Sequence, residues 1–217
     1  MVRHFVWDVP TRLFHWLLVS LIGFSWWSAE NHEMEWHYRS GLAICAIVIF
    51  RVIWGLVGTQ SARFAHFVKG PAAVSAYVRS QAPVRLGHNP LGGWSVIALI
   101  GLMVLQVGTG LFAVDVDGLE SGPLSMLVEF DTGRALAEAH EVAFKLLQLL
   151  VIVHVVAVLF YLTAKRRNLI GAMVTGYQKE EPDLAVEPIR RVSVLRLGSA
   201  LAIALACTYA ISKGLWL

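Results

Sequence analysis

The chain is predicted to be an all-α integral membrane protein: a four-helix transmembrane bundle with a fifth, C-terminal transmembrane helix. Three observations predict this. Hydrophobic residues make up 57% of the 217 and charged residues only 15%, where soluble domains carry about 25% charged residues. Mostly apolar windows long enough to span a bilayer recur along the sequence, as spanning helices require. One of them carries two histidines, His140 and His154, and ionisable groups at such depth are costly and usually functional. A β-barrel is not expected, because the apolar runs are continuous and not ten-residue alternating segments.

Helices are expected at about 11–29, 37–57, 92–114, 137–163 and 195–213. With this much apolar surface, residues 1–217 form a single membrane domain and leave no room for a second, soluble one. Met1–Pro10 is short and mixed, and the first apolar run has no small-residue cleavage site at its end, so no cleavable signal peptide is expected. Cys45 and Cys207 both fall inside expected helices and read as small buried apolar residues, not as a disulfide or metal pair. No Cys-x-x-Cys-His occurs, which excludes a covalently attached c-type haem.

The connections give an orientation. The N-terminus carries Arg3 and Arg12, the second connection Arg63, Lys69, Arg79 and Arg85 with no acid between Gly58 and Gly93, and the segment after the fourth helix opens Lys165-Arg166-Arg167. The first connection carries Glu30, Glu33 and Glu35 without Lys or Arg, and the third carries Asp115, Asp117, Glu120, Glu129, Asp131 and Glu138 against Arg134 alone. The positive-inside rule then places the N-terminus in the cytoplasm, both acidic connections outside and, after five helices, the C-terminal Gly214-Leu215-Trp216-Leu217 outside. The basic inner face needs no nucleic acid to explain it.

Depth now sorts the histidines. His15 near the inner end of the first helix falls level with His154, and His37 at the outer start of the second falls level with His140 at the outer start of the fourth. Fourteen residues separate His140 from His154, close to four turns, so both imidazoles share one side of a helix about 21 Å apart along its axis. Two facing imidazoles at one depth can ligate one haem iron, which leaves no open coordination position. The sequence thus points to two b haems, one held by His15 and His154, the other by His37 and His140. Packing with a hydrogen bond would explain one helical histidine; four matched by depth favour ligands.

Around these ligands Gly41, one turn after His37, leaves space on the ligand's own face. Gly101, Gly108 and Gly110 mark one side of the third helix, where tight helix packing is an equal explanation. Arg12, Arg39 and Arg51 lie near helix ends where haem propionates would emerge, with snorkelling to headgroups the even alternative. His4, His32 and His66 read as loop histidines. His88, beside the inner haem depth, reads the same way first, with a quinone or propionate contact as the second reading.

The residues Val6-Trp7-Asp8-Val9-Pro10-Thr11-Arg12-Leu13-Phe14-His15-Trp16, His37-x-x-x-Gly41, Gly87-His88-Asn89-Pro90-Leu91-Gly92-Gly93-Trp94 and His140-Glu141 with the step to His154 resemble the bacterial di-haem cytochrome b family. That family includes cytochrome b561 and the cytochrome b subunit of nickel–iron hydrogenases. The resemblance covers the first four helices. It implies a four-helix bundle in the bacterial inner membrane with two b haems, electron exchange with the quinone pool, and His15, His37, His140 and His154 as iron ligands. The fifth helix exceeds the shortest members.

The resulting expectation is a membrane cytochrome passing electrons between quinone or quinol and a periplasmic redox partner, cytochrome c-like or a hydrogenase-type dehydrogenase. A quinone oxidoreductase acting on superoxide is the alternative, but superoxide is an anion and the acidic outer loops repel it. They suit a partner with a basic surface. A transporter or proton channel using intramembrane histidines is the reading of another class; it calls for acids within the helices, and Glu141 at a helix start is the nearest. Expected partners are membrane lipid, quinone or quinol and the basic redox protein, with a homodimer left open and no nucleic acid.

Overall fold

A computed structural model describes residues 2–79, 87–117, 119–180 and 192–215; of the residues singled out above, Arg85, Trp216 and Leu217 lie outside these. The protein is mostly helical. In chain order, strand β1 (Val2–Phe5) is followed by α1 (Val9–Glu30), α2 (Met34–Val57), the short helices α3 (Phe64–Phe67) and α4 (Pro71–Val78), and α5 (Pro90–Phe112). A 3-10 turn (Ser125–Leu127), α6 (Phe130–Thr163), α7 (Leu169–Thr175), strand β2 (Tyr177–Glu180) and α8 (Val194–Ser212) complete the order.

Each of the five expected long helices forms within a few residues of its expected bounds, except that α6 begins seven residues early. Its extra turns contain Gly133, a poor helix former, but a Cβ there would lie 2.4 Å from Val114 Cγ2; the glycine lets Val114 seat against the helix. His140 is therefore not at a helix start but ten residues into α6. Among the described residues four helices, α2, α5, α6 and α8, are long and apolar enough to cross a membrane. α1 is 22 residues long, but Thr11, Arg12, His15, Ser20, Ser25 and Ser28 dilute its apolar character.

The chain divides into two compact units. The first comprises Met1–Phe14, Arg51–Ala98 and Val151–Gly198, the second His15–Phe50, Leu99–Leu150 and Ser199–Leu217. In the first unit β1 and β2 pair antiparallel, Phe5 opposite Tyr177. Gly176 ends α7 with φ +87°, the left-handed conformation a helix terminus often needs. Its carbonyl accepts the Val6 and Trp7 N–H groups at 2.8 and 3.2 Å, so Val6 and Trp7 bury against Ala172.

In the second unit Ile44, Val48, Met103 and Leu147 form a core, with Leu18, Leu21, Ile22 and Phe144 packed around it. The α5–α6 connection folds back as a tight hairpin. Val114 bridges Ser121, the Gly122 N–H donates to the Ala113 carbonyl at 2.8 Å, and the Leu124 N–H donates to that of Leu111 at 2.9 Å.

Candidate functional site

The second unit brings His37 of α2 and His140 of α6 together, ring centres 6.1 Å apart and planes nearly perpendicular. Both are half-buried. His37 Nδ1 lies 2.9 Å from the Ser25 carbonyl and 3.2 Å from the Ser25 hydroxyl. Only a protonated Nδ1 can donate to a carbonyl, which assigns the tautomer and leaves the lone pair on Nε2. His140 repeats the device, with Nδ1 2.8 Å from the Gln106 carbonyl. A carbonyl on one imidazole nitrogen orients the ring and frees the other nitrogen as a ligand, as metal-binding histidines do.

Residues 106–110 of α5 build the wall behind His140. The Thr109 hydroxyl lies 3.4 Å from its Nδ1. Gly110 abuts the ring so closely that a Cβ would sit 2.8 Å from Cε1 and 2.9 Å from Nδ1. Gly101, Gly108 and Gly110 therefore do not share one role: at Gly101 and Gly108 a Cβ would meet nothing within 4 Å. Nine residues at 100° each turn position 110 half a circle away from 101. The Gln106 side-chain nitrogen lies 3.0 Å from His140 Nε2, while its buried Oε1 has no partner.

His15 of α1, also in the second unit, is half-buried, its ring edge-on to Trp16 at 4.9 Å. His154 of α6 is half-buried in the first unit.

The first unit holds a different arrangement. Asp8 is fully buried. Its Oδ1 accepts the Thr11 N–H at 2.7 Å, capping α1 three residues on. Its Oδ2 accepts the Trp54 indole N–H at 3.1 Å and the Thr59 hydroxyl. Arg51, 3% exposed, donates to the Ala62 carbonyl at 3.3 Å, lies over the Phe64 ring at 4.9 Å, and has Asp8 as its opposite charge. His88 is held edge-on to Trp7 at 4.5 Å and against Phe67 at 4.4 Å, its Nδ1 buried without a hydrogen-bond partner. Burial, with the positive charge of Arg51 adding, pushes its pKa down to about 3, so the imidazole is neutral.

The remaining candidates are placed as follows. Arg12 donates to the Val174 carbonyl at 2.6 Å. Arg39 is exposed, paired with Glu35 one turn earlier at 2.7 Å and lying over Trp36. At Gly41 a Cβ would meet nothing within 4 Å. Cys45 is buried and Cys207 exposed, both as free thiols.

The chain matches the family model described as prokaryotic cytochrome b561 over residues 6–176. It belongs to the prokaryotic cytochrome b561 family. No curated protein and no solved structure matches it. Membership makes this a membrane b-type cytochrome of electron transfer, a multi-pass prokaryotic membrane protein that binds haem b. β1, β2 and α8 lie outside the matched residues.

The residues of the second unit fit haem b in this cytochrome. Two imidazoles that each hold one metal at about 2.0 Å put their ring centres roughly 6 Å apart, which is the His37–His140 separation. Among the described residues no cluster of three or more His, Cys, Asp or Glu could hold a metal ion, whereas two facing histidines suffice where a porphyrin supplies the other ligands. Reasoning from the sequence missed Ser25, Gln106 and Thr109, which orient the His37 and His140 rings, and no spacing signals them. Asp8 was visible only as part of Trp7-Asp8-Val9-Pro10, although an Asp two residues before a Pro in a helix's first turn is a capping signal.

Proposed function

We propose that this cytochrome carries two b haems, each held by two histidines, and passes electrons between the quinone pool and a periplasmic redox protein. One pair is His37 with His140, the other His15 with His154. The observation that supports the reading is the facing His37 and His140 rings with Nδ1 of each anchored on a backbone carbonyl. When bound, haem b supplies reversible one-electron storage at iron without an open coordination position. The chain's part is to fix both imidazole tautomers and leave Gly41 space on the face of the ligand helix.

Residues 1–217 act as one domain, with α1 as a fifth span beside α2, α5, α6 and α8. The protein sits in the bacterial inner membrane with the N-terminus cytoplasmic and the acidic connections periplasmic. The basic connections Arg63, Lys69 and Arg79, and Lys165-Arg166-Arg167, support that orientation. His88, neutral and held by two aromatic rings, is suited to hydrogen-bond a quinone head group or a propionate. Arg51 and Arg12 are the cations available to propionates in the first unit.

Pyridine haemochrome assay of the purified protein should return about two haems per chain; a colourless protein at full haem supply refutes the reading. His15→Ala and His154→Ala should perturb the same redox transition and spare the one lost in His37→Ala. Loss of one shared transition in His15→Ala and His37→Ala would refute the pairing.

A further inference from the structure

The α5–α6 hairpin is exposed and apolar where it has no structural need to be. Leu119 is 86% exposed, Val116 73% and Met126 65%. Single exposed apolar residues are ordinary; several on one short connection mark a contact surface. The acids Asp115, Asp117, Glu120 and Glu129 interleave with them, Asp131 follows in the first turn of α6, and the nearest cation, Arg134 of α6, is engaged with the Val114 carbonyl at 3.1 Å. The surface therefore mixes exposed apolar side chains with acids, and the connection between α5 and α6 carries no Lys or Arg. Segments that lie on a bilayer surface carry Lys and Arg instead, and a second copy of the same acidic hairpin would be repelled.

The hairpin is also joined to the His37–His140 pair. Gly122 lies directly on the end of α5, where a Cβ would be 2.3 Å from the Gly110 carbonyl oxygen, and Gly110 in turn lies directly on the His140 ring. With the Val114–Ser121 bridge and the Arg134 bond, this root is pinned and its tip presented.

We propose that the hairpin docks a soluble one-electron carrier whose contact face is an apolar patch ringed by Lys and Arg, seating it over the haem ligated by His140. This rests on the electron-transfer reading above and names the partner's docking element. One electron passes between the haem iron and the carrier's redox centre; as one is oxidised by one electron the other is reduced by one, and no bond forms or breaks. Acids steer the encounter and set its salt dependence, while the apolar tip sets the lifetime of the complex.

The test uses the full haem-loaded chain in phosphatidylcholine nanodiscs, reduced by quinol, with a cationic soluble c-type cytochrome as probe. At about 0.5 M salt, where screening has shortened the reach of charge to roughly 4 Å, Val116→Ser with Leu119→Ser should slow exchange about tenfold, as expected for loss of apolar contacts central to an interface. Asp117→Asn with Glu120→Gln should instead slow exchange at low salt and flatten its salt dependence. Exchange by the apolar double variant within about twofold of the parent overturns the proposal, since affinity changes in one interface are mostly dissociation-rate changes of that size or more. So does quenching of a fluorophore on Leu119→Cys by brominated lipid, which would put the tip in the bilayer. Haem content and reduction by quinol are read on the same samples. Failure there overturns the electron-transfer reading and the proposal with it, while their persistence with unchanged carrier exchange overturns the docking surface alone.

Discussion

The two compact units bury histidine for different ends. In the second, His37 and His140 each give Nδ1 to a backbone carbonyl and face one another with Nε2 as the remaining ligand nitrogen. In the first, His88 is wedged between Trp7 and Phe67 with a buried, unpartnered Nδ1, beside an Arg51 whose opposite charge is Asp8. A carbonyl anchor prepares an imidazole for a metal; an aromatic clamp holds a neutral one in place. The second unit carries the acid-rich connections and the first the basic ones, so the contrast extends from single rings to the charge each unit presents.

The sharpest test of that contrast is haem content. On the proposed bis-histidine reading, His140→Ala should cut haem per chain to about half, because one haem needs both its imidazoles. His88→Ala should keep the full complement. A pyridine haemochrome count that falls equally in both variants would break the distinction between anchored and clamped histidines.

The next largest effect is on stability, in the first unit. Asp8→Asn removes the charge opposite Arg51 and replaces an acceptor for Thr11, Trp54 and Thr59 by a group that must also donate. Leaving a buried donor without its acceptor costs about 1–3 kcal/mol, and Asp8 serves three donors. Thermal unfolding of the detergent-solubilised protein should show a large drop. A change below about 1 kcal/mol would mean that these three bonds do not hold the start of α1 to Trp54 and Thr59.

Much of this was legible in the sequence, and the reasons for the rest are physical. The long helices were legible because a spanning helix is written in composition over some twenty residues. The His37–His140 meeting was legible because rise and topology fix depth. The start of α6 was not, since Gly133 reads locally as a breaker and only its contact with Val114 explains it. The ligand anchors were not, because Ser25 and Gln106 act through main-chain carbonyls, which every residue has. Arg39 was legible only as a cation near a helix end; that Glu35 one turn earlier pairs with its guanidinium follows from the i,i+4 spacing on α2.

A finer test separates glycines that a site uses from those it does not press against. Gly110→Ala would put a Cβ within 3 Å of the His140 ring, and overpacking of this kind costs about 1–3 kcal/mol. The haem held by His37 and His140 should loosen, read as a lowered retention of haem during purification. Gly108→Ala, with no atom within 4 Å of the added carbon, should retain haem as the parent does. Equal behaviour of the two would mean that the α5 wall does not set the position of His140.

The smallest expected effect is the pH response of His88. Its pKa falls from the usual 6.5 to about 3, by burial first and then by the positive charge of Arg51. The unfolded chain therefore binds a proton between those two values that the folded chain does not. Stability rises with pH wherever the unfolded state binds more protons, so this contribution is fully present above about 6.5 and is lost as pH falls toward 3. The slope cannot exceed about 1.4 kcal/mol per pH unit for one group. His88→Phe keeps a ring between Trp7 and Phe67 but has nothing to titrate. Unfolding followed from pH 7 to pH 4 should show a shallower acid loss in His88→Phe than in the parent. A parallel pair of curves would mean that the clamp admits a charged imidazole, and the difference drawn between the two units' histidines would then lie in their hydrogen bonds alone.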